Sequence, residues 1–201
     1  MTRSELEKII IDKFNSSKGD KDNTVEERIL HSIGVCDMAL YLNKLHNLKV
    51  DEEKITTAAL LHDYAKFETV DSIKEILKEN NMVFDETLSP KLWHSFYGVL
   101  FIKRDLKIDD EEILNAIYYH TTGRANMTNL EKLIFVSDFT ETNTRIDPMF
   151  DEVRKASFIS IDKACAVEAK LTVEHLRKKN FFICHETIDT YEFYKKYLEN
   201  N

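Results

Sequence analysis

Turn-forming residues are the scarcest feature of this chain. Its 201 residues hold only four glycines and two prolines, against a combined average of roughly 12% in globular proteins. A β-rich fold of this length needs many tight turns, and tight turns draw on Gly, Asn and Pro for their backbone angles. The shortage therefore points to an all-α fold. Helix starts are correspondingly well marked. Thr24 precedes Glu27, and Thr128 precedes Glu131, by the three residues of a capping box. Asp109 and Glu112 have the same spacing, with Asp as the cap. Ser89-Pro90 and Asp147-Pro148 set a capping side chain ahead of Pro at the first helical position. These signals predict helices near 3–14, 25–46, 52–66, 71–79, 90–103, 110–121, 129–141, 148–158, 160–178 and 186–198. The stretch NSSKGDKDN (15–23) reads as a flexible loop.

The length suits one sizeable core and is marginal for two. No repeat or interior linker divides it, so a single domain is expected. A net charge of −8 argues against a protein that grips nucleic acid through its phosphates. It leaves room for a small anionic substrate, because a few local cations or a metal reverse the local field. Cys36, Cys165 and Cys184 are odd in number and lack any CxxC spacing, which suits a reducing cytoplasm. No apolar run has the length of a membrane span, and MTRSELEK lacks a signal-peptide core. A soluble cytoplasmic protein is the expectation.

Several polar residues break the apolar faces of the expected helices. In AALLHDYAKF (58–67), His62 and Asp63 interrupt a run of Ala and Leu, and Lys66 follows one turn later. His31 shares a face with Val35, Met38 and Leu42. His120 follows Ile113, Ala116 and Ile117, just before Gly123. His94 lies one turn into the helix opened by Ser89-Pro90, and Asp138 lies on the side of Leu130 and Ile134. Any one of these alone reads as a hydrogen-bonded structural residue. Taken together they are six inward groups on five helices, and carboxylates in a shared interior repel unless a cation lies between them. Imidazole with carboxylate suits Fe, Mn, Zn or Ni better than Ca. The set can supply two adjacent ions with one carboxylate bridging. His46, at the polar end of its helix, and His175, among Glu174, Arg177 and Lys178, read as solvated.

An early His, an adjacent His-Asp pair and a late Asp occur here in order as His31, His62-Asp63 and Asp138. This pattern resembles the HD-domain superfamily of metal-dependent phosphohydrolases. The likeness is closer to its YqeK-type branch, the symmetrical bis(5'-nucleosyl)-tetraphosphatase family. The branch signatures stand as RILHSIGV (28–35), AALLHDYAK (58–66), LWHSFYG (92–98), AIYYHTTG (116–123) and MTNLEKLIFVSDF (127–139), followed by Glu141 and Arg145. The family tail, Ile-His-Pro-x-Thr and then Tyr, is echoed by ICHET (183–187) and Tyr191. Ser137 and Thr142 replace the usual Ala and Pro, and Cys184-His185 replaces His-Pro.

The resemblance implies a single helical bundle over 1–201, its core roughly 25–178, with an N-terminal helix and a C-terminal helical tail. It implies two divalent ions, iron with manganese as a substitute. His31, His62, Asp63 and Asp138 would hold one ion, and Asp63 would bridge to a second held by His94 and His120. Asp63 and Lys66 take catalytic roles, with Lys66 beside a phosphate. Thr121, Arg145, Ile183 and Thr187 match nucleotide-contacting positions, and Arg28, on the face of His31, is a further phosphate candidate. The implied reaction splits diadenosine tetraphosphate into two ADP by a metal-activated hydroxide. The partner is a small nucleotide, with neither nucleic acid nor membrane, and a homodimer is left open. Two other readings stand beside it: a hydrolase of mononucleotides or of NAD metabolism, and a nucleotide sensor without turnover.

Overall fold

The computed structural model describes residues 1–17 and 24–199. Most of the expected loop at 15–23 thus lies outside the described residues. Eleven α-helices and no strand occur among those described. They are α1 (Arg3–Asn15), α2 (Val25–Leu45), α3 (Glu52–Leu61), α4 (Val70–Glu79), α5 (Trp93–Phe96), α6 (Gly98–Leu106), α7 (Glu111–Tyr118), α8 (Asn129–Thr140), α9 (Asp151–Ile159), α10 (Ile161–Lys178) and α11 (His185–Tyr194). The helices α2, α3, α7 and α8 pack on one another at the centre. On one side α1 lies against α2 and α3, and on the other α9, α10 and α11 pack in series beside α8. Leu6, Ile10 and Phe14 of α1 reach the same buried cluster as Ile55, Leu60 and Leu61 of α3 and Leu133 and Ile134 of α8. Among the described residues no helix is long and apolar enough to cross a membrane. All three cysteines are free and buried.

With glycine scarce, asparagine closes three of the helices. Asn47, Asn81 and Asn180 follow the C-caps of α2, α4 and α10 in the left-handed conformation, with φ of 49°, 55° and 53°. In each case the next N–H reaches back to the last turn: Leu48 to Asn43 O (3.1 Å), Met82 to Leu77 O (2.8 Å) and Phe181 to Leu176 O (3.0 Å). These are Schellman closures, with Asn where Gly is commonest because its short polar side chain tolerates the left-handed region.

Both expected capping boxes form, at Thr24 with Glu27 and at Thr128 with Glu131. Elsewhere the boundaries move. The cap of α7 is Asp110, whose Oδ1 accepts from Glu112 N and Ile113 N, rather than Asp109. Ser89 makes no side-chain cap, and the expected helix 90–103 divides into a 3-10 turn at Pro90–Leu92, α5 and α6. Pro148–Phe150 and Lys195–Tyr197 are likewise 3-10 turns. The largest shift is functional: the expected helices 52–66 and 110–121 stop at Leu61 and Tyr118. His62, Asp63 and His120 therefore sit on turns just past helix ends, not within helices.

Candidate metal centre

Those two endings are built alike. Past α3, the chain tightens to i→i−3 bonding, with Tyr64 N donating to Leu61 O (3.0 Å) and Lys66 N to Asp63 O (2.8 Å). The His62 ring is held by Nδ1 against Ala59 O at 2.7 Å, three residues back. His120 repeats the device, with Nδ1 2.6 Å from Ile117 O. A carbonyl only accepts, so each Nδ1 carries a proton, and each ring in its neutral form presents the Nε2 lone pair. This is the orientation in which a metal-ligating His is usually locked.

Around those two rings the other four candidates converge, all buried except the partly exposed Asp138. His31 Nε2 lies 3.3 Å from His62 Nε2 and 2.9 Å from Asp138 Oδ1. His94 Nε2 lies 3.2 Å from His120 Nε2. Asp63 stands between the pairs. Its Oδ2 is 3.4 Å from His62 Nε2, while its Oδ1 is 3.1 Å from His94 Nε2 and 3.8 Å from His120 Nε2. Three overlapping groups have the spacing to hold an ion: His31, His62 and Asp63; His62, His120 and Asp138; and Asp63, His94 and His120.

The residues fit a metal. Asp63 Oδ1 is buried with no hydrogen bond, and such an atom costs roughly 1–3 kcal/mol unless something compensates it. Nε2 atoms that face one another across 3.2–3.3 Å meet the same need. The electrostatics agree. Burial alone would raise the Asp63 carboxyl, but Lys66, Arg28, His62 and His94 bring it well below its usual range. Asp138 is likewise held low against burial, by His31 and Arg145. His94 is pushed down by burial and by Lys66. Burial, with His62 and His94 beside it, pushes His120 down to about 3. His62 is pulled down by burial but raised on balance by Asp63 and Asp138. The carboxylates thus draw positive charge to a place where two of the rings stay neutral donors.

A second set of residues holds the first in place. At the end of α8, Glu141 takes His31 Nδ1 at 3.1 Å. Its carboxylate also accepts from the N–H groups of Asn143 (2.6 Å), Thr144 (3.1 Å) and Arg145 (3.1 Å), and from the Thr144 hydroxyl. Against its burial, those bonds bring the Glu141 carboxyl down to about 2. Gly34, one turn after His31, makes room for it: a Cβ there would lie 2.4 Å from Glu141 Oε2. Glu168 of α10 is also buried, and its Oε2 lacks a hydrogen bond. Burial and the nearby Asp138 push that carboxyl well above its ordinary range. Sequence reading gave no role to Gly34 or Glu168. A Gly inside a helix and a Glu within AVEAK carry no local signal of what they face.

Lys66 Nζ lies 3.3 Å from His94 Nε2 and 3.6 Å from Asp63 Oδ1, at the solvent side of the site. Arg28 is buried and ion-paired with Asp63. Arg145 holds Asp138 through Nη2 at 3.1 Å and Nε to the Asp138 carbonyl at 3.0 Å. Thr121 Oγ1 is 2.9 Å from Ser95 Oγ. Lys66, His94, Thr121 and Thr187 line a cavity of about 410 Å³ that opens beside the site, and Ile183 lies half-buried outside that lining. His175 and His185 are exposed. His46 is not solvated as expected, since its Nε2 lies 2.6 Å from Ser157 O where α2 meets α9.

A helical chain that gathers four imidazoles and two carboxylates at one point has a donor set able to hold a metal. The family model described as HD domain matches residues 28–143, and the chain belongs to the HD-domain family. Relatives narrow the branch. Over 176 residues it is 38% identical to the "Bis(5'-nucleosyl)-tetraphosphatase, symmetrical" of Bacillus subtilis (strain 168), covering 86% of this chain and 92% of the relative. It is 35% identical to the protein of that description from Halalkalibacterium halodurans, covering 85% and 90%. The crystal structure of a "predicted HD superfamily hydrolase involved in NAD metabolism" from Clostridium acetobutylicum superposes with a TM-score of 0.79 at 33% identity. The match covers 93% of this chain and 95% of that one.

Proposed function

We propose that the chain is a metal-dependent phosphohydrolase that cleaves diadenosine tetraphosphate symmetrically into two ADP. The observation that carries this reading is Asp63. Its Oδ2 lies 3.4 Å from His62 Nε2, and its Oδ1 lies 3.1 and 3.8 Å from His94 Nε2 and His120 Nε2, so it belongs to two of the overlapping ligand groups beside a cavity lined by Lys66. We assign His31, His62, Asp63 and Asp138 to one divalent ion, and Asp63, His94 and His120 to a second. Iron is the preferred metal and manganese its substitute, as the nitrogen and oxygen donors suit. Two such ions would supply Lewis-acid charge neutralisation at phosphorus and lower the pKa of a water.

The chain's own residues do the rest. Lys66 holds a phosphate oxygen at the edge of the site, and Arg145 can turn from Asp138 toward the same anion. Thr121, Thr187 and Ile183 position the nucleotide. A nucleoside seated in the cavity with two phosphates reaching to Asp63 places the central anhydride at the site. Cleavage there leaves two phosphates on each half, which is why the products are equal. One domain is the reading this supports, since helices from α1 to α11 contribute to one buried cluster among the described residues. The chain's net charge of −8 suits a small anion held locally rather than a nucleic acid.

The test is incubation of protein loaded with iron, manganese or cobalt with diadenosine tetraphosphate, followed by chromatography of the nucleotides. ADP as the sole product is expected. AMP with ATP would reject symmetrical cleavage. Binding without turnover under all three metals would leave a nucleotide sensor, and phosphate release from mononucleotides alone would make the chain a nucleotidase.

A further inference from the structure

His120, assigned above to the second ion, stands on a turn that its own helix holds weakly. Its N–H lies 3.5 Å from Ile117 O, longer than an ordinary hydrogen bond, whereas the turn of His62 and Asp63 is closed by bonds of 3.0 and 2.8 Å. The His120 ring leans on that same Ile117 carbonyl. A shift of the turn therefore shifts the ring, and what pins the turn comes from elsewhere in the chain. On one side the Thr121 hydroxyl meets Ser95 Oγ at 2.9 Å, and Ser95 is the residue after His94. On the other side stands α11.

The buried residues of α11 are Thr187, Thr190 and Tyr194, at the i, i+3, i+7 spacing of one helical face. Tyr194 Oη accepts from Met127 N at 2.9 Å, just ahead of α8. Thr190 Oγ1 lies 2.9 Å from Thr122 O and 2.7 Å from Glu186 O, so its one proton is shared between two carbonyls. Glu186 O is also the helical acceptor for the N–H of residue 190, whereas Thr122 is buried outside the helices and its carbonyl belongs to no ladder. The approach is close. Gly123 is left-handed, with φ of 63°, and a Cβ there would lie 2.7 Å from Thr190 Cγ2 and 2.8 Å from Thr190 Oγ1.

We propose that Thr190 is a positioning residue for the second ion: α11, through the hydrogen bond from Thr190 to Thr122 O, fixes the turn that aims His120 Nε2. The inference rests on the two-ion reading for what His120 holds. The first ion is left untouched, because His31, His62 and Asp138 stand on α2, beyond α3 and on α8. A turn that its own helix holds loosely is thus completed by a segment 68 residues further along the chain.

The experiment compares wild type, Thr190→Val and Thr190→Ser as full chains. Val keeps the shape but removes the proton and leaves Thr122 O unpaired, while Ser keeps the hydroxyl. Each is titrated with manganese against a competing chelator, and electron paramagnetic resonance distinguishes a spin-coupled pair from isolated ions. Wild type and Thr190→Ser should bind about two ions as a coupled pair. Thr190→Val should bind the second about 10–100-fold more weakly, the usual cost of losing a partner behind a ligand, with the first unchanged and the spectrum that of isolated manganese. Gly123→Ala, which drives α11 off the turn from the other side, should weaken the same ion. Unchanged second-ion affinity in Thr190→Val, equal weakening of both ions, or the same loss in Thr190→Ser would each overturn the proposal. Should wild type bind one ion only, the two-ion reading fails separately. Hydrogen exchange of metal-free protein then decides the positioning role: amides of 119–123 should exchange about five- to tenfold faster in Thr190→Val, with those of 62–66 unchanged. Equal rates at 119–123 would overturn it.

Discussion

At the scale of single residues, the site depends on a short relay in which Gly34 admits Glu141, and Glu141 holds His31. Gly→Ala inside an exposed helix stabilises by about 1 kcal/mol. At Gly34 the new Cβ would press on a carboxylate already tied by several hydrogen bonds. Gly34→Ala should therefore weaken metal affinity by about 10–100-fold, the usual cost of losing a partner behind a ligand. Metal titration with a competing chelator measures it. Glu141 also sets an acid limit. Its folded value of about 2 lies below the ordinary 4.5, so its stabilisation is full above the ordinary value and is lost as pH falls toward 2. The slope is up to about 1.4 kcal/mol per pH unit for the single proton. In urea titrations of metal-free protein between pH 5 and 3, wild type should lose stability more steeply than Glu141→Gln. Equal slopes would remove Glu141 from the account. The six metal candidates were legible from sequence because each puts an ionisable group on an apolar face. Gly34 was not, because its role is to be absent from a space that only the fold defines.

At the scale of elements, helix endings carry the function. Sequence reading ran a helix through AALLHDYAKF because nothing there breaks one: no Gly, Pro or Asn interrupts the Ala and Leu. The helix nevertheless stops at Leu61. The His62 ring bonds Ala59 O, the turn tightens to i→i−3 bonding, and His62 and Asp63 both face the centre. His120 ends α7 in the same way. Three other helices, α2, α4 and α10, end on left-handed Asn47, Asn81 and Asn180, and α6 ends on left-handed Lys107, none of which was read from the sequence. Asn still pays some strain in the left-handed region that Gly does not. Asn81→Gly, at an exposed turn, should raise stability by about 0.5 kcal/mol. A lower urea midpoint would show that the Asn side chain contributes more than its backbone conformation costs.

At the scale of the whole molecule, the candidate ligands lie on α2, on α5 and α8, and just beyond α3 and α7, spanning residues 31 to 138. No local segment can assemble them, so the metal centre exists only once the central helices have packed. An ion bound there ties those helices together and stabilises the folded state by mass action. Manganese at saturating concentration should raise the melting temperature of chelated protein by roughly 10 °C, given about 2–4 °C per kcal/mol for a chain of this size. Calorimetry with and without chelator checks it. The most direct test of the central claim is metal content per chain after loading and dialysis, in wild type and in Asp63→Asn, with helicity confirmed by circular dichroism. The account predicts about two ions per wild-type chain and fewer than about 0.2 in the folded variant, because Asp63 is the ligand assigned to both ions. Full metal content in folded Asp63→Asn, or none in wild type, would contradict it.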